Sequence, residues 1–117
     1  MKNLLLGLVF LGCSSIAVAQ SFSIQGLGNN TCGEAMQNIS RMGSAAETEY
    51  ADWVGGFITG SSYAFSVTKN VDVIVGVGLS FDTLTALFKN KCAQDAQKRV
   101  IQAAIEINHE LGKRQQQ

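Results

Sequence analysis

Residues 50–58 read Tyr-Ala-Asp-Trp-Val-Gly-Gly-Phe-Ile, and the apolar residues among them recur at the spacing of an α-helix. They stand at i, i+3, i+4, i+7 and i+8, which places one apolar stripe on one helix face: Tyr50, Trp53, Val54, Phe57 and Ile58. Acidic residues near the start of this segment suit the positive end of a helix dipole: Glu47, Glu49 and Asp52. The pattern predicts a helix over residues 47–68.

Three glycines, Gly55, Gly56 and Gly60, stand inside this helical pattern. Each is up to about 1 kcal/mol less favourable in a helix than alanine. One interpretation is a close approach of another helix, which gives a helix-packing motif formed by Tyr50, Trp53, Gly56, Phe57 and Gly60. The other is a hinge or an early end of the helix at residues 60–62.

Three further helices are predicted on either side of this one. Thr31 and Glu34 have the spacing of a capping box and start a helix over 32–42. Ser80 or Asp82 can cap a helix over 81–91, and Asp95 can cap a helix over 96–111. The sequence therefore predicts one all-α domain of four helices, whose core is expected to contain Trp53, Phe57, Leu84, Phe88, Val100, Ala104 and Ile107.

Residues 71–80 follow a different pattern, in which valine or leucine occupies every second position from Val71 to Leu79. Such alternation favours extended chain. A single segment cannot form a sheet alone, so we expect an extended apolar connection between the second and third helices. It either covers the helices, mediates a symmetric dimer, or binds a partner protein through Val71, Val73, Val75 and Val77.

The first 19 residues have the order of a secretory signal: Lys2, an apolar run over 4–11, and a small-residue end at 17–19. Cleavage before Gln20 leaves a mature domain over 20–117, with an ordered core at about 31–112 and a loose leader over 20–30. The alternative is lipidation at Cys13, because residues 10–13 loosely resemble a lipoprotein cleavage site. Both interpretations predict export, and the first predicts a periplasmic protein without a membrane anchor.

Removal of the signal leaves two cysteines, Cys32 and Cys92. The periplasm is oxidising, so an even cysteine number predicts a disulfide, and only one intramolecular pairing exists. In the chain-entropy model, closing a loop of about 60 residues stabilises a fold by roughly 4 kcal/mol.

Composition argues against several functional classes. The whole chain carries 9 basic and 9 acidic residues, so no basic density indicates nucleic-acid binding. The single histidine, His109, lies on a helix face away from Ile107 and Leu111, without a positioned partner for acid–base chemistry. Gly76-x-Gly78 lacks the third glycine of a phosphate loop, and no metal-ligand spacing occurs. The sequence therefore predicts no enzyme, no metal and no cofactor.

A family resemblance rests on Cys32-Gly33-Glu34, the block over 53–60, the segment from Leu84 to Cys92 and the closing Ala-rich helix. Together these resemble the Tai-type immunity proteins over about residues 31–112. The chain has Gln94-Asp95 where family members often have a proline after the second cysteine. The resemblance implies a periplasmic protein that binds and inhibits a peptidoglycan amidase delivered by type VI secretion.

A second resemblance is carried by residues 92–98, which are similar to the segment around the second cysteine of HdeA-type acid-stress chaperones. It implies the same kind of fold, small, helical and held by one disulfide, but a chaperone function near pH 2–3. An envelope protein with a structural role and no toxin partner is the third hypothesis.

Overall fold

The computed structural model describes residues 23–72 and 75–115. Within these ranges the chain forms four α-helices and no β-strand: α1 (Cys32–Met42), α2 (Ser44–Lys69), α3 (Phe81–Gln94) and α4 (Val100–Gln115). The prediction of an all-α, four-helix fold is confirmed. The predicted signal over 1–19, Cys13 and Val73 lie outside the described residues.

α1 begins and ends where the sequence predicts. The Thr31 hydroxyl accepts a hydrogen bond from the Glu34 N–H at 3.1 Å, and the Glu34 carboxylate accepts one from the Thr31 N–H at 2.7 Å. This reciprocal pair completes the capping box. Gly43, at φ +64°, separates α1 from α2. α2 therefore starts at Ser44, one turn earlier than predicted, and is 26 residues long.

The start of α4 differs from the prediction. Asp95 does not cap the helix; its Oδ1 accepts from the Gln97 N–H at 2.9 Å, inside a loop over 95–99. This loop pairs with the first turn of α1, where the Cys32 N–H donates to the Lys98 carbonyl at 2.6 Å. The first N–H groups of a helix lack partners within the helix. The loop supplies acceptors for those of α1, and α4 begins only at Val100.

The predicted disulfide between Cys32 and Cys92 is confirmed, with 4.8 Å between the two Cα atoms. Both cysteines are buried. The bond joins the start of α1 to the last turns of α3, directly beside the 95–99 loop. We call this region the disulfide end.

The core lies between the four helices. Five of its predicted members are buried: Leu84, Phe88, Val100, Ala104 and Ile107. Trp53 and Phe57 are half-buried and pack against the core from its edge. Tyr50 lies deeper than either, stacked on Phe88 with 5.6 Å between ring centroids. Its hydroxyl is within hydrogen-bond distance of the Asn30 and Asn38 side-chain amides, at 2.8 and 3.0 Å.

The glycines of α2 do not all have the predicted packing role. A Cβ added at Gly55 would lie 3.2 Å from Leu84 Cδ2, so α3 packs closely at this position. At Gly56 and Gly60 nothing lies within 4 Å of an added Cβ. Gly56 and Gly60 therefore have no packing role within the chain, and the predicted packing motif is wrong for the monomer at these two positions. The alternative early end of the helix at 60–62 is also wrong, because α2 continues to Lys69.

Candidate protein-binding surface

The second half of α2 extends beyond the other helices. Val54, Ile58 and Ser62 are buried on its inner face. Phe65 follows on the same face at helical spacing, yet 51% of its surface is exposed. The helix therefore leaves the core after Ser62, and the residues of its last two turns are exposed except for Ser66, which is half-buried.

Exposed apolar side chains gather at this end of the molecule. Tyr63 is 73% exposed and Val77 is 72% exposed. We define the apical surface as the five exposed large apolar residues in the described part of 63–77: Tyr63, Phe65, Val67, Val71 and Val77. Exposed apolar residues scattered singly need no explanation, whereas Tyr63, Val67 and Val71 line one groove together, which is typical of an interaction site.

Charged residues are almost absent from the same part of the chain. Residues 53–68 contain none, and residues 53–80 contain only Lys69 and Asp72. Depletion of charge together with aromatic side chains is typical of the central part of a protein–protein interface. The sequence signal for Tyr63, Phe65 and Val67 was therefore this long interval without charge, which the prediction did not use.

A turn over residues 75–78 forms the tip of the connection between α2 and α3. The Val75 N–H donates to the Ser62 hydroxyl at 3.1 Å, and the Leu79 N–H donates to the Gly76 carbonyl at 3.0 Å. Gly76 and Gly78 have φ values of +83° and +77°, which favour glycine. Val77 stands between them and points into solvent. The turn is thus anchored on α2 while its central side chain projects.

Three of the four valines predicted to bind a partner lie in the described ranges, and these three do not form one strip. Val71 and Val77 are exposed, whereas Val75 is half-buried and packs against the core. Val73 lies outside the described residues. The alternation predicted extended chain, but the glycines turn the backbone at 75–78. Of the three valines that the structure describes, Val71 and Val77 are therefore placed to contact a partner directly.

A groove of about 520 Å³ runs beside the apical surface. It lies between the last turns of α2 and the segment that follows the helix, with residues of both kinds in its walls: Thr59, Ser62, Tyr63, Ser66, Val67, Asn70, Val71 and Asp72. Asn70 follows the last residue of α2 as its C-cap, and its left-handed conformation (φ +53°) turns the chain back along the helix. Ser62 connects the groove to the turn that carries Val77, because it lines the groove and accepts the hydrogen bond from the Val75 N–H.

Trp53 has a partner that the sequence did not predict. Residues Gly26–Asn29 form one turn of 3₁₀ helix, with Gly28 buried. A Cβ added at Gly28 would lie 2.1 Å from the Trp53 ring, so only glycine fits there. Trp53 in turn stacks on Phe57 at 6.0 Å. The segment before residue 31, predicted as a loose leader, is therefore packed from Gly26 onward.

Three ion pairs of the described residues join α3, α4, the 95–99 loop and the start of α2: Lys89 to Glu47 at 2.6 Å, Lys98 to Glu106 at 2.9 Å and Lys91 to Glu110 at 3.0 Å. A fourth pair, between Arg114 and Glu110, lies close to the apical surface, because Arg114 lines the same pocket as Val77. Hydrogen bonds from Lys91 and then Arg114 lower the pKa of the Glu110 carboxyl. Hydrogen bonds from the Thr31 backbone and then its hydroxyl lower the pKa of Glu34.

Neither a metal site nor a membrane-spanning helix is found in the described parts of the chain. Among residues 23–72 and 75–115 no three His, Cys, Asp or Glu residues cluster in a way that could hold a metal ion. Over the same ranges no helix has the length and hydropathy needed to cross a membrane. His109 is exposed on α4.

Comparison of the chain with protein-family models, with curated proteins and with solved structures finds no match. The apical surface is therefore interpreted from its own geometry.

Proposed function

We propose that this chain is an exported binding protein that inhibits a peptidoglycan amidase by placing the turn at residues 75–78 in the enzyme's substrate cleft. One observation carries the proposal: Val77 projects, 72% exposed, from a turn whose first residue, Val75, is hydrogen-bonded to Ser62 of α2. A projecting apolar side chain on an anchored turn has the shape that a cleft can receive.

The anchoring favours binding because little conformational freedom remains to be lost. Ordering a flexible loop on association costs affinity, and a turn already held in one conformation avoids most of that cost. Two kinds of contact hold this turn: the hydrogen bond from the Val75 N–H to the Ser62 hydroxyl, and the packing of Val75 and Leu79 against the core. Val77 is therefore held in position by the contacts of its neighbours in the turn.

The kind of partner is suggested by the family resemblance rather than by the turn. The block over 53–60 and the two cysteines resemble Tai-type immunity proteins, whose targets are peptidoglycan amidases. The signal pattern and the buried disulfide support an oxidising compartment, where such enzymes attack the cell wall.

Periplasmic co-expression with candidate amidases tests the proposal, scored by survival of the host. We expect the wild-type chain to protect against its cognate amidase and Val77→Asp to lose that protection. A buried carboxylate in an apolar contact remains desolvated without a partner, which disfavours the complex. The control is Ile105→Asp, which places the same charge on an apolar residue of α4 that is 51% exposed. This variant should still protect.

Val77 alone is substituted, because Val75 packs against the core and a charge at that position would also destabilise the fold. The free energy of unfolding of Val77→Asp, measured by urea denaturation, should differ from that of the wild type by no more than about 0.5 kcal/mol. Protection by Val77→Asp equal to that of the wild type would refute the role of the turn. A chain that protects against no amidase but prevents aggregation of client proteins at pH 2–3 would support the chaperone hypothesis instead.

A further inference from the structure

The outer face of α2 is a second surface that the proposed inhibitory turn does not use. It lies opposite the buried Ala51, Val54, Ile58 and Ser62. Four residues follow one another along it at spacings of four, three and four, which keeps them on one stripe: Gly56, Gly60, Tyr63 and Val67. All four are exposed.

Half of this stripe is small and half is large. Gly56 and Gly60 leave open space, with no atom within 4 Å of an added Cβ. Tyr63 and Val67 protrude, 73% and 63% exposed. Two glycines at outward positions of a long helix weaken that helix and have no packing role within the chain. The stripe therefore has two empty positions followed by two protruding side chains.

We propose that the outer face of α2 pairs with the same face of a second copy, with the two helices antiparallel. In that arrangement Gly60 faces Tyr63 of the second copy, and Gly56 faces Val67 of the second copy. Both pairs are centred on one point between residues 61 and 62, so a single two-fold axis satisfies them together. Each large side chain then enters the space left by a glycine, as close packing across an interface requires.

Charge favours a second copy as the occupant of this face. Residues 55–68 pair with one another about this axis and carry no charge, so an antiparallel pairing over about 21 Å of helix brings no like charges together. Two glycines followed by two large residues are also complementary to the same four residues running in the opposite direction. An unrelated partner helix would need large side chains opposite the glycines and small ones opposite Tyr63 and Val67. One helix face is a small interface, so we expect a weak dimer with a dissociation constant in the micromolar range.

Sedimentation velocity of the mature, oxidised protein over a concentration series tests this proposal. We expect the wild type to shift from monomer to dimer between about 1 µM and 1 mM. Gly60→Leu fills the space required by Tyr63, and Tyr63→Ser removes the protruding ring. Each should raise the dissociation constant at least a hundredfold. Gly112→Leu is the matched control, because Gly112 on α4 also has nothing within 4 Å of an added Cβ.

A swapped variant tests the pairing itself. Gly60→Tyr combined with Tyr63→Gly again places tyrosine opposite glycine across the two-fold axis, so it should recover dimerisation that Gly60→Leu loses. A wild type that stays monomeric at 1 mM would overturn the proposal. So would a Gly60→Leu variant that dimerises as tightly as the wild type, or a swapped variant that remains monomeric while folded. The proposal does not depend on an amidase partner, because sedimentation is measured on the protein alone.

Discussion

The two ends of this molecule differ in how their residues are packed. At the disulfide end, Cys32 and Cys92 are buried and the backbone of 95–99 hydrogen-bonds the start of α1. At the other end, α2 extends past the core and exposes Tyr63, Phe65 and Val67 with no charged neighbour in sequence from 53 to 68. Backbone polar groups at the disulfide end are hydrogen-bonded within the chain, whereas apolar side chains at the other end are exposed to water.

This difference separates stability from binding within one small domain. A covalent bond, a completed capping box and buried helix contacts stabilise the disulfide end. Apolar side chains left exposed contribute little to the stability of the monomer, because their burial is what would stabilise it. We therefore expect substitutions at the disulfide end to change unfolding, and substitutions at the apical surface to change association.

The largest expected effect is the loss of the disulfide. Replacing Cys32 and Cys92 by alanine should lower the free energy of unfolding by about 4 kcal/mol, because the bond closes a loop with a sequence separation of 60. Urea unfolding followed by circular dichroism measures the change. Such a loss is a large fraction of the roughly 5–15 kcal/mol of a typical domain.

Comparison with the reduced wild type provides the control for this experiment, since reduction removes the bond without removing the sulfur atoms. Oxidised wild type should be the more stable of the two by a similar amount. Equal urea midpoints for the oxidised and reduced protein would contradict the assignment of stability to this end.

An intermediate effect is expected where the 3₁₀ turn meets α2. Gly28→Ala places a methyl group 2.1 Å from the Trp53 ring, so either the ring or the turn must move. We expect a loss of about 1–3 kcal/mol in unfolding free energy. The Trp53 fluorescence should shift to longer wavelength as the ring becomes exposed.

The matched control is Gly56→Ala, because the same methyl group meets open space on the outer face of α2. It should stabilise the monomer by up to about 1 kcal/mol, since alanine is the better helix former. The two substitutions therefore have opposite signs. A stabilising Gly28→Ala would show that the 3₁₀ turn is not packed on Trp53.

Local signals in the sequence predicted the fold well where the stabilising contacts are themselves local. Thr31 and Glu34 lie three residues apart and fix the start of α1, and the stripe from Tyr50 to Ile58 predicts the inner face of α2. The start of α4 could not be predicted in this way. Asp95 looks like a helix cap, but the loop after it is held by the α1 backbone, some 60 positions earlier in sequence.

The candidate site was predicted only in part. Val71 and Val77 are exposed, as partner binding requires, but a period of two does not indicate that Val75 packs inward and donates its N–H to Ser62. The glycine pattern of α2 likewise does not show which glycine packs within the chain, and only Gly55 meets a neighbouring side chain, Leu84. Which side of a helix meets its neighbours depends on how the helices are arranged, and one helical pattern does not specify that arrangement.

The smallest expected effect is a loss of folding stability at acidic pH. Hydrogen bonds from Thr31 lower the pKa of Glu34 in the folded protein below its ordinary value of 4.5. The unfolded chain then binds this proton more readily, so the stabilisation is fully present above about pH 4.5 and is lost as the pH falls through the lowered pKa. Glu34→Gln should have a slightly lower thermal midpoint than the wild type at pH 7.

Thermal midpoints of both proteins between pH 7 and pH 2 measure this contribution. The difference between them should shrink below pH 4.5. A difference that stays constant over the whole range would show that ionisation of Glu34 does not stabilise the start of α1. Glu110 has a pKa lowered by Lys91 and Arg114, and it adds a loss of the same sign in both proteins.

The separation of the two ends is tested most directly by native-state hydrogen exchange, read residue by residue. The Cys32 and Val100 amides, which donate to the Lys98 and Asn30 carbonyls, should exchange only through global unfolding. The Val71 and Val75 amides, which donate to the Ser66 carbonyl and the Ser62 hydroxyl, should exchange at least about a hundredfold faster, through local opening of the apical end. Equal protection of all four amides would mean that both ends unfold as one unit, and would contradict the assignment of stability to one end and binding to the other.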